Sequence, residues 1–104
     1  MRIIDSHIHC GVQNVHQPWE DIRPLLENAG IEAACLFAPV EDIYDRYDPG
    51  FDDDDTWRHC RHQAHEYLLD LSRRYPDVYP YYFVWNDFAV EDLAHRFAGI
   101  KWHH

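Results

Sequence analysis

Two histidines one residue apart are the side chains whose type and spacing most directly suggest chemistry. His7 and His9 lie in the stretch RIIDSHIHCG, residues 2 to 11, at the end of an apolar run that Gly11 closes. Because side chains alternate along a strand, Asp5, His7 and His9 are expected to share one face. Two neutral imidazoles about 7 Å apart along a strand can turn toward one cation at distances of about 2.1 Å. The spacing therefore predicts a metal site, and the alternative is two histidines bonded to backbone groups.

Length and composition narrow the classes of fold and partner. A chain of 104 residues is expected to form a single domain over residues 1–104. The formal charge of -10, from 19 acidic and 9 basic residues, argues against nucleic acid and against an anionic membrane surface as partner. Three cysteines without C-x-x-C spacing favour reduced thiols, and no apolar run is long enough to span a membrane. We therefore expect a soluble, cytoplasmic protein.

Apolar patterning alternates between strand-like and helix-like segments. It predicts strands at residues 2–10, 32–39, 78–87 and from 99 onward, and helices at 18–30, 57–75 and 90–98. Pro24 predicts a kink or a late start of the first helix, because proline lacks the N–H of a helical hydrogen bond. Asp55 or Thr56 is expected to cap the second helix. The order βαβαβαβ predicts an α/β fold with a parallel sheet.

The predicted sheet brings most of the candidate chemistry to one end. In parallel sheets the carboxyl ends of the strands meet at one edge, where ligand sites gather. The residues expected there are His7, His9, Asn86, Asp87, Lys101 and His103. A second group, His59, His62 and His65, recurs every three residues on the second predicted helix. Three-residue steps drift around a helix, so this group predicts a solvated helix face rather than a zinc cluster.

Three segments, in order along the chain, resemble the amidohydrolase superfamily. DSHIHCG resembles its D-x-H-x-H motif, and RRYPDVYPYYFVWND is similar to the segment that joins its second helix to its third strand. AGIKWHH resembles its fourth-strand G-I-K-x-H motif. The resemblance is to the amidohydrolase-related group of metal-dependent TIM-barrel hydrolases and decarboxylases. It implies that the predicted sheet is the first half of a (β/α)₈ barrel, strands one to four.

The resemblance also implies roles for particular residues. His7 and His9 would bind a divalent metal, most often zinc with manganese as the alternative, and Asp5 would support them from one layer deeper. Lys101 matches the position where relatives carry a lysine that is carboxylated in some members and bridges two metals. His103 lies two residues further along the same predicted strand face. Lys101 and His103 are therefore the residues assigned to catalysis.

The function implied by the resemblance is hydrolysis. A metal-activated water would attack an amide, ester or lactone of a small-molecule substrate. Decarboxylation is the alternative within the group, but several decarboxylases replace the first histidine with glutamate, so His7 favours hydrolysis. A complete barrel takes about 250 residues. We therefore expect either an N-terminal half that a complementary C-terminal half completes, or a non-catalytic half-barrel that dimerises through its open edges.

Overall fold

A computed structural model of the chain describes residues 3–85, 90 and 92–102. Four strands, β1 to β4, and two α-helices, α1 and α2, alternate along it. Their bounds are Ile4–His9 for β1, Trp19–Asn28 for α1, Ala33–Phe37 for β2, Asp55–Arg74 for α2, Val78–Val84 for β3 and Gly99–Trp102 for β4. The sheet has the order β1-β2-β3-β4, and each neighbouring pair is parallel. The predicted α/β fold with the architecture of a half (β/α) barrel is thereby confirmed.

Helix α2 begins two residues earlier than predicted. Its N-cap is Asp54, whose backbone is extended and whose carboxylate accepts a hydrogen bond of 2.9 Å from the backbone N–H of Trp57. The predicted caps, Asp55 and Thr56, were wrong, because both already lie in the first helical turn. The acidic run that precedes the helix offers several chemically equivalent caps, and only the geometry of the chain selects one of them.

The first and third predicted helices also differ from what the structure shows. Helix α1 begins at Trp19 and continues through Pro24, so the late start is not observed. Gly30 follows it with a φ of 75°, a left-handed conformation that suits glycine at the end of a helix. In place of the third predicted helix, a five-residue 3₁₀ helix runs from Asp92 to Arg96. A segment this short makes a marginal α-helix because few hydrogen bonds offset the cost of nucleation.

One face of the sheet packs against α2 and forms the main core. Leu36 of β2 and Leu68 and Leu71 of α2 are fully buried there, together with Ala34 and Val78. Apolar surface removed from water in this way stabilises the fold by about 25 cal/mol for each Å². The packing of α2 over the central strands therefore sets the position of the loops at the carboxyl end of the sheet.

His65 belongs to this core, and the predicted solvated face is wrong for that residue. Only 1% of its surface is exposed, and its Nε2 accepts a hydrogen bond of 2.9 Å from the backbone N–H of Phe83. Its ring also stacks on Tyr82, with centroids 4.3 Å apart. Position 65 lies between the buried residues Ala64 and Leu68, within the apolar stripe of α2. Burial lowers the pKa of His65 to about 3, so the ring is neutral.

Candidate metal centre

A bulge in β1 changes how its polar side chains are arranged. Ile4 and Asp5 pair with Ala33 and Ala34, but Ile8 pairs with Leu36, so three steps along β1 match two along β2. This shift interrupts strict alternation between Asp5 and the histidines. The Asp5 carboxylate accepts a hydrogen bond of 3.1 Å from the backbone N–H of His7. Asp5 thus holds the backbone of the bulge, and its support of an imidazole stays a prediction.

His7 and His9 converge at the carboxyl end of β1, as the sequence predicted. Their Nε2 atoms lie 3.0 Å apart. The Nδ1 of His9 lies 2.9 Å from the carbonyl oxygen of Ala38. Because a carbonyl only accepts, this bond assigns the proton of His9 to Nδ1 and leaves a lone pair on its Nε2. The His7 ring stacks on Phe37 with centroids 4.6 Å apart, which fixes its orientation.

Lys101 reaches the same point from the far end of the sheet. Its Nζ lies 3.3 Å from the Nε2 of His7 and 5.1 Å from the centre of the Phe37 ring. β1 and β4 are the two outermost strands, so this meeting shows how strongly the sheet is curled. The structure therefore brings together three of the predicted site residues. The predicted residues Asn86, Asp87 and His103 lie outside the described part of the chain.

The hydrogen-bonding needs of these three side chains conflict. If His7 Nε2 carries a proton and donates to His9, it has no lone pair left to accept a hydrogen bond from the Lys101 ammonium. If His7 Nε2 instead accepts from Lys101, its lone pair faces the lone pair of His9 at 3.0 Å. Neither tautomer of His7 satisfies both neighbours. A cation shared by the two Nε2 atoms would satisfy both lone pairs, and the Lys101 ammonium would then need an acceptor other than His7.

The charge state of His7 suits a metal ligand. Partial burial lowers the pKa of His7 below its ordinary value of 6.5, and the electrostatic influence of Lys101 and then of His9 lowers it further. Asp5 acts in the opposite direction, as the last of the four contributions. A lowered pKa keeps the imidazole neutral near pH 7, and only the neutral ring has a lone pair to give a metal.

The histidine pair lies in the wall of an open cleft of about 750 Å³. The opposite wall comes from α1 and from the loop after β2, including Asp21, Leu25, Glu41 and Arg46. No group of three or more His, Cys, Asp or Glu side chains close enough to hold a metal occurs within the described ranges. The centre thus consists of two histidines and a lysine beside a cleft large enough for a small molecule.

Two buried polar residues that the sequence analysis missed hold the rim of this cleft. Arg61 of α2 donates to the carbonyl of Ile43 at 2.9 Å and to the carboxylate of Asp53 at 2.7 Å. Asp42 is fully buried and accepts a hydrogen bond of 2.9 Å from the backbone N–H of Asn14. Burial raises the pKa of Asp42. Arg61 falls on the apolar stripe of α2, and a charged residue at such a position was the available signal.

Fold and site together define a class: an α/β protein whose parallel half-barrel carries a histidine pair at the carboxyl end of its first strand. No protein-family profile, curated protein or solved structure matches this chain. The resemblance to amidohydrolases inferred from three sequence segments therefore stays a prediction. Along the described residues, neither helix is long and apolar enough to cross a membrane.

Proposed function

We propose that the chain carries the metal centre of a metal-dependent hydrolase, with His7 and His9 as ligands of one divalent ion. The observation behind this proposal is the 3.0 Å separation of their Nε2 atoms. Two nitrogens that bind one ion at about 2.1 Å lie about 3.0 to 3.4 Å apart. Zinc is the expected ion because it accepts imidazole nitrogen in a tetrahedral arrangement, and manganese is the alternative.

A divalent ion at this point would lower the pKa of a bound water and polarise a substrate carbonyl. The chain itself positions the ligands: Ala38 fixes the tautomer of His9, and Phe37 supports the ring of His7. Lys101 places a positive charge beside the two rings, and it has no carboxylate partner among the described residues. We assign Lys101 and His103 to the reaction on the amidohydrolase resemblance.

The substrate we propose is a small amide, ester or lactone bound in the cleft beside His7 and His9. Hydrolysis is preferred to decarboxylation because the first residue of the motif is histidine. Catalytic zinc is normally held by three protein ligands, so two histidines alone should bind it weakly. Free Cys10, Cys35 and Cys60 support a cytoplasmic location, where thiols stay reduced.

Metal binding by matched histidine variants tests this proposal. Zinc content and affinity would be measured on untagged wild-type protein, on His7→Ala/His9→Ala, and on His59→Ala/His62→Ala. The control pair has the same composition change but lies on α2, away from the cleft. We expect the first double variant to lose more than about tenfold in zinc affinity and the control to retain it. Equal loss in both variants, or no zinc in the folded wild type, would refute the site.

A further inference from the structure

The sheet has two open edges that carry exposed apolar side chains. Among the described residues, β1 pairs only with β2, and β4 pairs only with β3. Of the exposed large hydrophobic residues in the described part of the chain, four lie on or beside these edge strands, namely Ile3, Ile4, Ile100 and Trp102. Ile4 is 49% exposed and Ile100 is 61% exposed. An open sheet edge with exposed apolar side chains is a template for pairing with another strand, so we expect both edges to bind a partner.

The curl of the sheet indicates which kind of partner fits. The contact between Lys101 of β4 and His7 of β1 shows that the four strands already bend around a common inner space. Parallel strands close into a barrel at about eight strands, where side chains just fill the interior. The four strands of this chain are half of that number. A second set of four strands with the same curl would close the sheet.

We propose that two copies of this chain close one eight-stranded parallel barrel, with β4 of each copy paired to β1 of the other. Because all strands are parallel, β1 and β4 present opposite edges of one continuous sheet, so β4 of one copy can continue into β1 of the next in the same direction. Two identical interfaces related by a two-fold axis leave no edge unpaired.

Closure would complete the surroundings of the metal centre, and in this respect the inference rests on the proposed function. His7 is exposed toward the inner space, and the second copy would cover that side of the cleft. A ligand that binds the dimer better than the monomer shifts the equilibrium toward the dimer, so zinc should strengthen association. The charge of -10 on each copy opposes pairing, and screening by salt should therefore strengthen it as well.

Sedimentation of edge variants tests the arrangement. Wild-type protein would be measured at micromolar and submillimolar concentrations, with and without zinc, beside Ile4→Lys, Ile100→Glu and Leu25→Lys. We expect the wild type to have the mass of two copies, and each edge variant to associate at least about tenfold more weakly because a charge is buried at an interface. Leu25 is 68% exposed on α1, so Leu25→Lys should stay dimeric. Circular dichroism checks that each variant is folded.

A mixture of the two edge variants gives the sharper result. Ile4→Lys keeps an intact β4 edge and Ile100→Glu keeps an intact β1 edge, so the mixture should recover a two-copy species that neither variant forms alone. The proposal would be overturned if the wild type were monomeric or formed an open series of larger species. It would also be overturned if Ile100→Glu remained dimeric, because that result indicates symmetric pairing of β1 with β1. A dimer that binds no zinc refutes the metal site alone, and a zinc-binding monomer refutes the two-copy barrel alone.

Discussion

The two faces of the sheet differ in nearly every physical respect. On the face toward α2, Leu36, Leu68 and Leu71 have no exposed surface. On the other face, His7 is exposed, and Lys101 lies partly exposed over Phe37. One face therefore supplies packing energy, and the other holds polar groups whose mutual bonds are not satisfied. The difference teaches that the packed core and the candidate metal site lie in separate layers, so substitutions should affect one without the other.

The same contrast appears in two histidines. Burial is the first cause that lowers the pKa of both His65 and His7. In His65 one ring nitrogen accepts from Phe83 and the other is enclosed, so the neutral ring serves packing. In His7 the Nε2 atom faces His9 and the cleft. A lowered pKa therefore identifies a ligand only where the lone pair is also accessible.

The largest loss of stability is expected from substitutions in the layer of the core that faces α2. Leu68→Ala removes a fully buried side chain of α2 and should lower the free energy of unfolding by about 2 to 5 kcal/mol, through lost burial and a cavity. Urea denaturation measures the change. Leu25→Ala, on the exposed side of α1, is the control and should change stability by less than about 0.5 kcal/mol. Similar losses in both variants would contradict the assignment of Leu68 to the core.

Acid should destabilise the same layer through His65. The folded-state pKa of about 3 is below the ordinary 6.5, so the unfolded chain binds the extra proton first. The contribution of His65 to stability is therefore complete above pH 6.5 and falls by up to about 1.4 kcal/mol for each pH unit as the pH drops toward 3. His65→Gln keeps an acceptor for the Phe83 N–H but does not titrate. Unfolding of both proteins between pH 7 and 5 should give a shallower slope for the variant, and equal slopes would exclude a buried neutral His65.

The smallest change in stability is expected on the inner face. Lys101→Met keeps an apolar side chain over Phe37 but removes the charge beside His7, so the free energy of unfolding should change by less than about 0.5 kcal/mol. Because Lys101 lowers the pKa of His7, that pKa should rise toward 6.5 in the variant. An NMR titration of the metal-free protein measures it. Arg46→Met, in the same cleft, should leave it unchanged; a parallel rise would show that Lys101 does not act directly.

Much of the fold was predictable because its signals are local. Apolar runs bounded by glycine and proline gave the strands, and the spacing of apolar residues on α2 gave the longest helix. The pairing of His7 with His9 was predictable as well, because side chains two positions apart on a strand point the same way. The element bounds were less accurate, since several neighbouring acidic residues could cap α2 and the sequence does not show that Asp54 takes the extended conformation of the N-cap.

The remaining features depend on contacts between distant parts of the chain. The approach of Lys101 to His7 joins residues 94 positions apart and requires the curl of the whole sheet. Burial of His65 depends on β3, whose Phe83 N–H provides its bond. The bulge at Asp5 reflects the pairing of β1 with β2. None of these follows from periodicity, which describes one element at a time.

The two hydrogen bonds of Arg61 have a consequence for ligand binding. By joining the carbonyl of Ile43 and the carboxylate of Asp53 to one rigid guanidinium, Arg61 closes the intervening loop into a ring anchored on α2. Closing a loop lowers its conformational entropy, and here that entropy is lost when the chain folds. The segment carrying Arg46 is then ordered before any ligand arrives, so binding in the cleft would need little further loss of chain freedom.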